Sequence, residues 1–184
     1  MMFPNLQYDF RRVYTKTSYQ GKLRKIFATL GQQGFQAILG YRMCRWMVGK
    51  RIPLLHLFVQ RCVEITTGIS IPPEVLIGRG LMIPHFGGII INSNATLGEF
   101  CTISHGVTIG NKMPGGKSPV MGDHVYICAG AKVLGDIHIG DHCIIAANSV
   151  VMNSIPANSV VAGIPAKVIK RIDPQTEYKE FWSV

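Results

Sequence analysis

From Met121 to Ala157 an apolar or small residue returns at every sixth position: Met121, Ile127, Val133, Ile139, Ile145, Val151, Ala157. A second column, Val125, Ala131, Ile137, Cys143, Ser149 and Ile155, runs beside it. A period of six matches neither the roughly 3.6-residue turn of a helix nor the two-residue alternation of a half-buried strand. It is the spacing of short strands and turns wound into a parallel β-helix. Three hexads make one triangular coil, and coils stack about 4.8 Å apart, the distance between paired strands. Regular rungs supply only a stiff rod, so function is expected where the pattern breaks.

The same step is present earlier, in Ile71, Ile77, Ile83 and Ile89, and it continues in Leu97, Ile103 and Ile109 after a two-residue shift assigned to residues 92–96. The stretch 110–119 (GNKMPGGKSP) has no apolar column and reads as a loop leaving the rod. Ahead of Ile69, apolar residues at helical spacing (Ile26 and Leu30; Phe35, Ile38, Leu39, Met43 and Met47) predict three or four helices over residues 5–67. The chain therefore divides into a basic helical region (1–68), a β-helix (69–172) and a polar tail (173–184) ending near Phe181 and Trp182. The fold class is mainly β, with a short N-terminal α-helical region.

Five cysteines, odd in number and without CxxC spacing, suggest neither a disulfide framework nor a structural zinc site, so reduced and buried thiols are expected. The apolar stretch 52–59 contains His56 and falls far short of the roughly 20 residues of a membrane span. No signal-peptide pattern is present, which points to the cytoplasm. The net charge of +9 resides entirely ahead of Ile69, where eleven basic residues face only Asp9 and Glu64. Interleaved with Phe27, Phe35, Tyr41 and Trp46, this charge suits peripheral contact with the inner, anionic membrane face, at about 1 kcal/mol per basic residue; a solvated helical face reads equally well. Nucleic acid is disfavoured, because no recognition motif accompanies the charge.

Counting by eighteens, with the two-residue shift, places His85 under His105 and then Asp123 and Asp141 on the same corner of the rod. His85 lies in IPHFGG, where Pro84 stiffens one side and Gly87 and Gly88 allow close approach. Histidine keeps a usable neutral fraction near pH 7 and so suits a general base, and a second ring nearby disfavours charging both. Two turn histidines without a task give the same pattern. A zinc site needs a third ligand, and His124, the nearest, falls one place off the corner. His138 and His142 read as exposed turn residues. The GGKS of Gly115–Ser118 lacks the glycine a P-loop requires, since Asn111 stands there, and no helix follows. Lys167, Lys170 and Arg171 could hold phosphates or solubilise the rod's end.

The runs IGRGLMIPHFGGIIINSNATLGEFCTISHGVTIGN, MGDHVYICAGAKVLGDIHIGDHCIIAANSVV and AGIPAKVIKRI resemble the serine acetyltransferase-like branch of the hexapeptide acyltransferases, nearest to members used in capsule and colanic acid synthesis. The resemblance implies a left-handed β-helix, an exception to the usual crossover hand, and a homotrimer with active sites between subunits. It also implies acetyl transfer from acetyl-CoA to a hydroxyl, without an acyl-enzyme or a metal. By the same resemblance His85 is the catalytic base. Asn111, Lys112, Ala129, Ala147, Lys167 and Lys170 flank the cofactor.

Relatives specific for serine carry aspartates where this chain has Pro84 and Ser70, and a histidine where it has Ser118. These departures argue for a neutral saccharide or lipid-linked glycan as acceptor, held by Asn92, Ser104, His105 and Ser118, in surface-polysaccharide synthesis. A backbone carbonyl is expected to fix the His85 tautomer. The alternatives are a serine O-acetyltransferase of cysteine biosynthesis and a non-catalytic β-helix scaffold.

Overall fold

The computed structural model describes residues 5–52 and 54–173. Four helices, α1 (Leu6–Lys16), α2 (Lys22–Gly31), α3 (Gln33–Gly49) and α4 (Leu55–Thr67), precede the strands. The strands form three faces of a prism. One face holds β1 (Ile69–Ser70), β3 (Ile89–Ile91), β6 (Thr108–Gly110), β9 (Lys132–Leu134) and β12 (Val150–Val151). The second holds β2 (Leu76–Ile77), β4 (Thr96–Leu97), β7 (Val120–Met121) and β10 (His138–Ile139). The third holds β5 (Thr102–Ile103), β8 (Tyr126–Ile127), β11 (Ile144–Ile145) and β13 (Ser159–Gly163), closed by β14 (Ala166–Arg171), whose pairing with β13 is antiparallel. All other pairings between these strands are parallel.

The two hexad columns supply the core. Ile83, Ile103, Ile109, Ile127, Val133, Ile139, Ile145 and Val151 are buried, as are Val125, Ala131 and Cys143 of the second column. Each side chain fills the prism against the coil above and below, which is why the period is six rather than two. At the upper end the column departs from expectation. Ile155 pairs with Ile139 and is buried, and Val161 pairs with Ile145, so Ala157 stands off the core on a shortened last coil.

Two further corrections concern register. Ile69 pairs with Ile89 and Leu76 with Thr96, so Ile71 lies beneath Ile91 and the two extra residues of the first coil fall between Ile83 and Ile89, not in 92–96. They enlarge the corner that carries His85. The loop 111–119 then adds one whole hexad, so that Thr102 pairs with Tyr126 and Thr108 with Lys132, twenty-four residues apart. Asp123 and Asp141 are thereby moved to a different corner from His85 and His105.

The helices cap the open lower end of the prism through side chains that bond its carbonyls. Arg42 bonds the Asp9 carboxylate at 2.9 Å and donates to the carbonyls of Ile77 and Gly78. Arg12 donates to Gly80 and Cys101, Arg45 to Pro73 and Val75, and the Tyr41 hydroxyl to Val75 at 2.7 Å. Leaving such an edge bare invites association with other chains. Three of the basic residues that suggested a membrane surface thus turn inward to the fold, and that reading loses its support. No helix among the described residues is long and apolar enough to cross a membrane. Cys44, Cys101 and Cys143 are buried free thiols as expected, whereas Cys62 is exposed and Cys128 half-buried.

Candidate active site

The corner between the third and first faces carries the chemistry. Met82 pairs with Thr102, Thr102 with Tyr126 and Tyr126 with Ile144, which aligns His85, His105, Ala129 and Ala147 in one ascending column. The Gly130 N–H donates to the His105 carbonyl and the Asn148 N–H to that of Ala129, continuing the stack. Gly106 lies directly beneath Gly130, and its φ of +71° is a backbone conformation that favours glycine.

His85 and His105 are both exposed, and their rings meet edge to face with centroids 5.6 Å apart and planes at 84°. The backbone carbonyl expected to hold the His85 tautomer is not there: among the described residues neither ring nitrogen of His85 has a hydrogen-bond partner, and the His105 ring is the neighbour that orients it. No third histidine, cysteine or carboxylate converges on the pair to form a metal-binding group among the described residues.

His85 also faces the helices. A groove of about 530 Å³ runs between the α2–α3 link and the Pro84–Phe86 segment, lined by Gln32, Gln33, Gly34 and Gln36 on one side and Pro84, His85 and Phe86 on the other. The helical wall is held close by Gly34, where a Cβ would collide with the carbonyl oxygen of Ile83. Sequence reasoning missed this wall. Its one sequence signal is the GQQGFQ run at the α2–α3 junction, polar and glycine-punctuated without a capping residue.

The second corner, at the far end of the first face, collects a different group. The Ser118 hydroxyl donates to Asn92 Oδ1 at 2.9 Å, tying the loop 111–119 to the β3–β4 turn. Asn111 Nδ2 donates to the Met113 carbonyl at 2.8 Å, and Lys112 Nζ donates to that of Met152 at 2.7 Å with its stem over Gly135. Both residues therefore shape the loop. Beside them a groove of about 380 Å³ is lined by Ile90, Asn92, Thr108, Asn111 and Leu134. Of the expected acceptor residues, His105 stands beside His85 and Asn92 beside Ser118, the two pairs at opposite ends of the first face. Ser104 is only 6% exposed, so its hydroxyl is not offered to a ligand in the single chain.

Lys167 and Lys170 are exposed on β14, opposite Ala162 and Val160, where the closing hairpin extends the third face above Ala129 and Ala147. Ser70 carries no carboxylate itself, but its hydroxyl donates at 2.8 Å to Glu64 Oε1 of α4, a side chain 18% exposed that also meets Arg61 at 2.9 Å.

The third corner is structural. Asp141 Oδ1 accepts from the Asp123 N–H and Asp123 Oδ1 from the Glu99 N–H, each at 2.7 Å, so these carboxylates bond successive turns. Phe100, His124 and His142 stack alongside, with centroids 5.2 Å and 4.9 Å apart. His142 is thus half-buried in a ring column, while His138 is exposed on β10. Burial, then the neighbouring His142 charge, hold the His124 imidazole below its ordinary pKa. Burial pushes the Cys101 thiol up to about 12, which removes it as a nucleophile.

Residues 118–153 match the family model described as bacterial transferase hexapeptide (six repeats). The chain is 35% identical over 179 residues to a serine acetyltransferase of Synechococcus elongatus, covering 94% of this chain and 72% of that relative. It superposes on the crystal structure of Neisseria gonorrhoeae serine acetyltransferase in complex with serine at TM-score 0.81 and 32% identity, over 90% of this chain and 68% of that one. The complex of Brucella abortus serine acetyltransferase with coenzyme A gives TM-score 0.82 and 31% identity, over 92% and 68%. The left-handed parallel β-helix with a helical N-terminal region is the fold shared with these proteins.

These matches overturn the assignment to capsule and colanic acid O-acetyltransferases, and with it the saccharide acceptor and the polysaccharide pathway: the matched relatives are serine acetyltransferases. Pro84, Ser70 and Ser118 are single side-chain changes on a fold kept throughout, and single changes do not by themselves reassign an acceptor; at Ser70, moreover, the Glu64 carboxylate of α4 stands one hydrogen bond away.

Proposed function

The chain belongs to the serine acetyltransferase family of hexapeptide-repeat acyltransferases, and from that premise we propose that it moves an acetyl group from acetyl-CoA to the hydroxyl of L-serine. The observation that carries this reading is His85, exposed at the one corner enlarged by two residues and braced by the His105 ring. Neutral His85 takes the proton of the acceptor hydroxyl as its oxygen attacks the thioester carbonyl. The C–S bond then breaks, and the imidazolium returns the proton to the departing thiolate, leaving O-acetylserine and free CoA. Such a base contributes about 10²- to 10⁴-fold.

The high pKa of buried Cys101 supports direct transfer over an acyl-enzyme on that thiol. In this reading the CoA arm follows the column of Ala129 and Ala147, with Lys167 and Lys170 towards its phosphates. The acetyl group lies beside His85. Asn92 and Ser118, with the loop from Asn111 and Lys112, sit at the opposite end of the first face, which supports a homotrimer in which a second copy completes each site. Thiol release from acetyl-CoA, followed with and without L-serine, tests the assignment: serine-dependent release supports it, and a β-helix that only binds releases nothing.

A further inference from the structure

We propose that Lys132 is a positioning residue for the acetyl transfer: its ammonium clamps the turn that carries His105 and, through that turn, the loop that carries His85. This deepens the assignment of His85 as the base and rests on it.

The outward residues of the first face form a column, Ser70, Ile90, Thr108, Lys132 and Val150, of which Lys132 alone is ionisable. It is half-buried, and among the described residues no carboxylate pairs with it. Its Nζ instead donates at 2.6 Å to the carbonyl of Gly106, the residue after His105. The corresponding glycines one coil below and one coil above, Gly88 and Gly130, receive no side-chain donor among the described residues. A cation partly withdrawn from water for one neutral carbonyl is a poor stabiliser. Its bond acts instead as a constraint on the turn.

The turn needs one. Gly87 and Gly106 stand at φ +90° and +71°, and glycine imposes little local preference on the backbone that carries the neighbouring histidines. The two rings therefore take their direction from bonds between coils. The Gly106 N–H donates to the Gly87 carbonyl at 3.1 Å and the Gly130 N–H to the His105 carbonyl at 2.9 Å, while Lys132 holds the carbonyl of Gly106 itself. Gly106 is thus fixed on both sides, from the His85 loop below and from Lys132 above, and a bond from a charged donor is the stronger kind. Without the ammonium that carbonyl turns to water, the Gly106 peptide swings, and the His105 ring leaves the edge-to-face contact at 5.6 Å that orients His85. What is lost is the alignment of the base. Such a loss falls on kcat, because reactive geometry tolerates little displacement.

The test is steady-state thiol release from acetyl-CoA with L-serine by Lys132→Met, Lys132→Thr and Lys132→Arg, and by Lys132→Met combined with His105→Ala. The methionine and threonine variants are expected to lose about 10- to 100-fold in kcat, with the KM of each substrate within about threefold of wild type. An unchanged Tm certifies the fold, and threonine, which already occupies this column at Thr108, decides the matter if the methionine variant does not fold. Lys132→Arg keeps the charge and the donors and is expected to recover kcat to within about fivefold of wild type. On the His105→Ala background the methionine change is expected to cost less than about threefold more, because the turn it fixes no longer carries the ring. Wild-type kcat in the folded variants, a loss that appears as raised KM, no recovery in Lys132→Arg, or a full further loss on the His105→Ala background overturns the proposal. His85→Ala run alongside separates the two levels. If it is inactive while the Lys132 variants behave as wild type, only the Lys132 assignment fails. If it turns over normally, or if the wild type releases no thiol with L-serine, the underlying reading fails and takes this one with it.

Discussion

Gly34 of α3 lies against the carbonyl of Ile83 with no room for a single methyl group between them. Ile83 is two residues before His85, so this contact registers the helical region against the segment that carries the base. The helices are therefore part of the site's geometry as well as a cap on the prism.

Gly34→Ala is expected to cost about 1–3 kcal/mol, since the clash involves backbone that cannot rotate away. Activity should fall with stability, because relief of the clash moves Pro84–Phe86. Gly31→Ala, which meets nothing within 4 Å on helical backbone, is the stability control, and its Tm should hold or rise slightly.

Arg42→Ala should destabilise the protein by about 3–5 kcal/mol by leaving the fully buried Asp9 carboxylate without its cation. Burial already raises the Asp9 carboxyl above 3.8, against the opposing pull of Arg42 and the Leu81 N–H. A carboxyl raised in the folded state contributes stability below its unfolded pKa that is lost as pH rises through the folded one. Without Arg42 that folded value climbs further, so the Tm deficit of Arg42→Ala relative to wild type should narrow as pH falls from 7 towards 5. Paired thermal melts across that range measure it.

His124 sets a pH dependence of the opposite sense. Its imidazole is held below 6.5 by burial first and by the His142 charge next, with Arg12 adding to the effect and Asp123 and Asp141 opposing it. A base depressed in the folded state contributes stability above pH 6.5 that is lost as pH falls through its folded value. His124→Asn, which tolerates the φ of +55° at this position, should flatten that part of the Tm-against-pH curve.

Ser118→Ala removes the hydroxyl that ties the 111–119 loop to Asn92, a bond worth about 1 kcal/mol. Tm should change little, whereas KM for the substrates should rise several-fold as the loop loosens. Kinetics at saturating and limiting acetyl-CoA distinguish this from an effect on kcat.

Much of this architecture is legible in the hexad columns, because a side chain inside a narrow prism has no alternative to being small or aliphatic. The interruptions were harder to place. Ile89 and Ile91 are both buried, so either continues the column, and the two extra residues could be assigned to the wrong side of β3. The 111–119 loop adds a complete hexad, leaving the six-residue phase intact while rotating every later residue by one face. Asp123 and Asp141 consequently looked aligned with His85 when they bond turns at another corner. Charge counting could not tell a solvated arginine from one that caps carbonyls, which is the role of Arg12, Arg42 and Arg45. The glutamine wall opposite His85 was invisible because it is brought there by helix packing.

The decisive measurement is the rate of CoA thiol release with L-serine by wild type and His85→Ala at matched Tm. A fall of about 10²- to 10⁴-fold with the fold intact is the expected result for loss of a general base. A folded His85→Ala protein that turns over within threefold of wild type would show that the proton leaves the serine hydroxyl by another route.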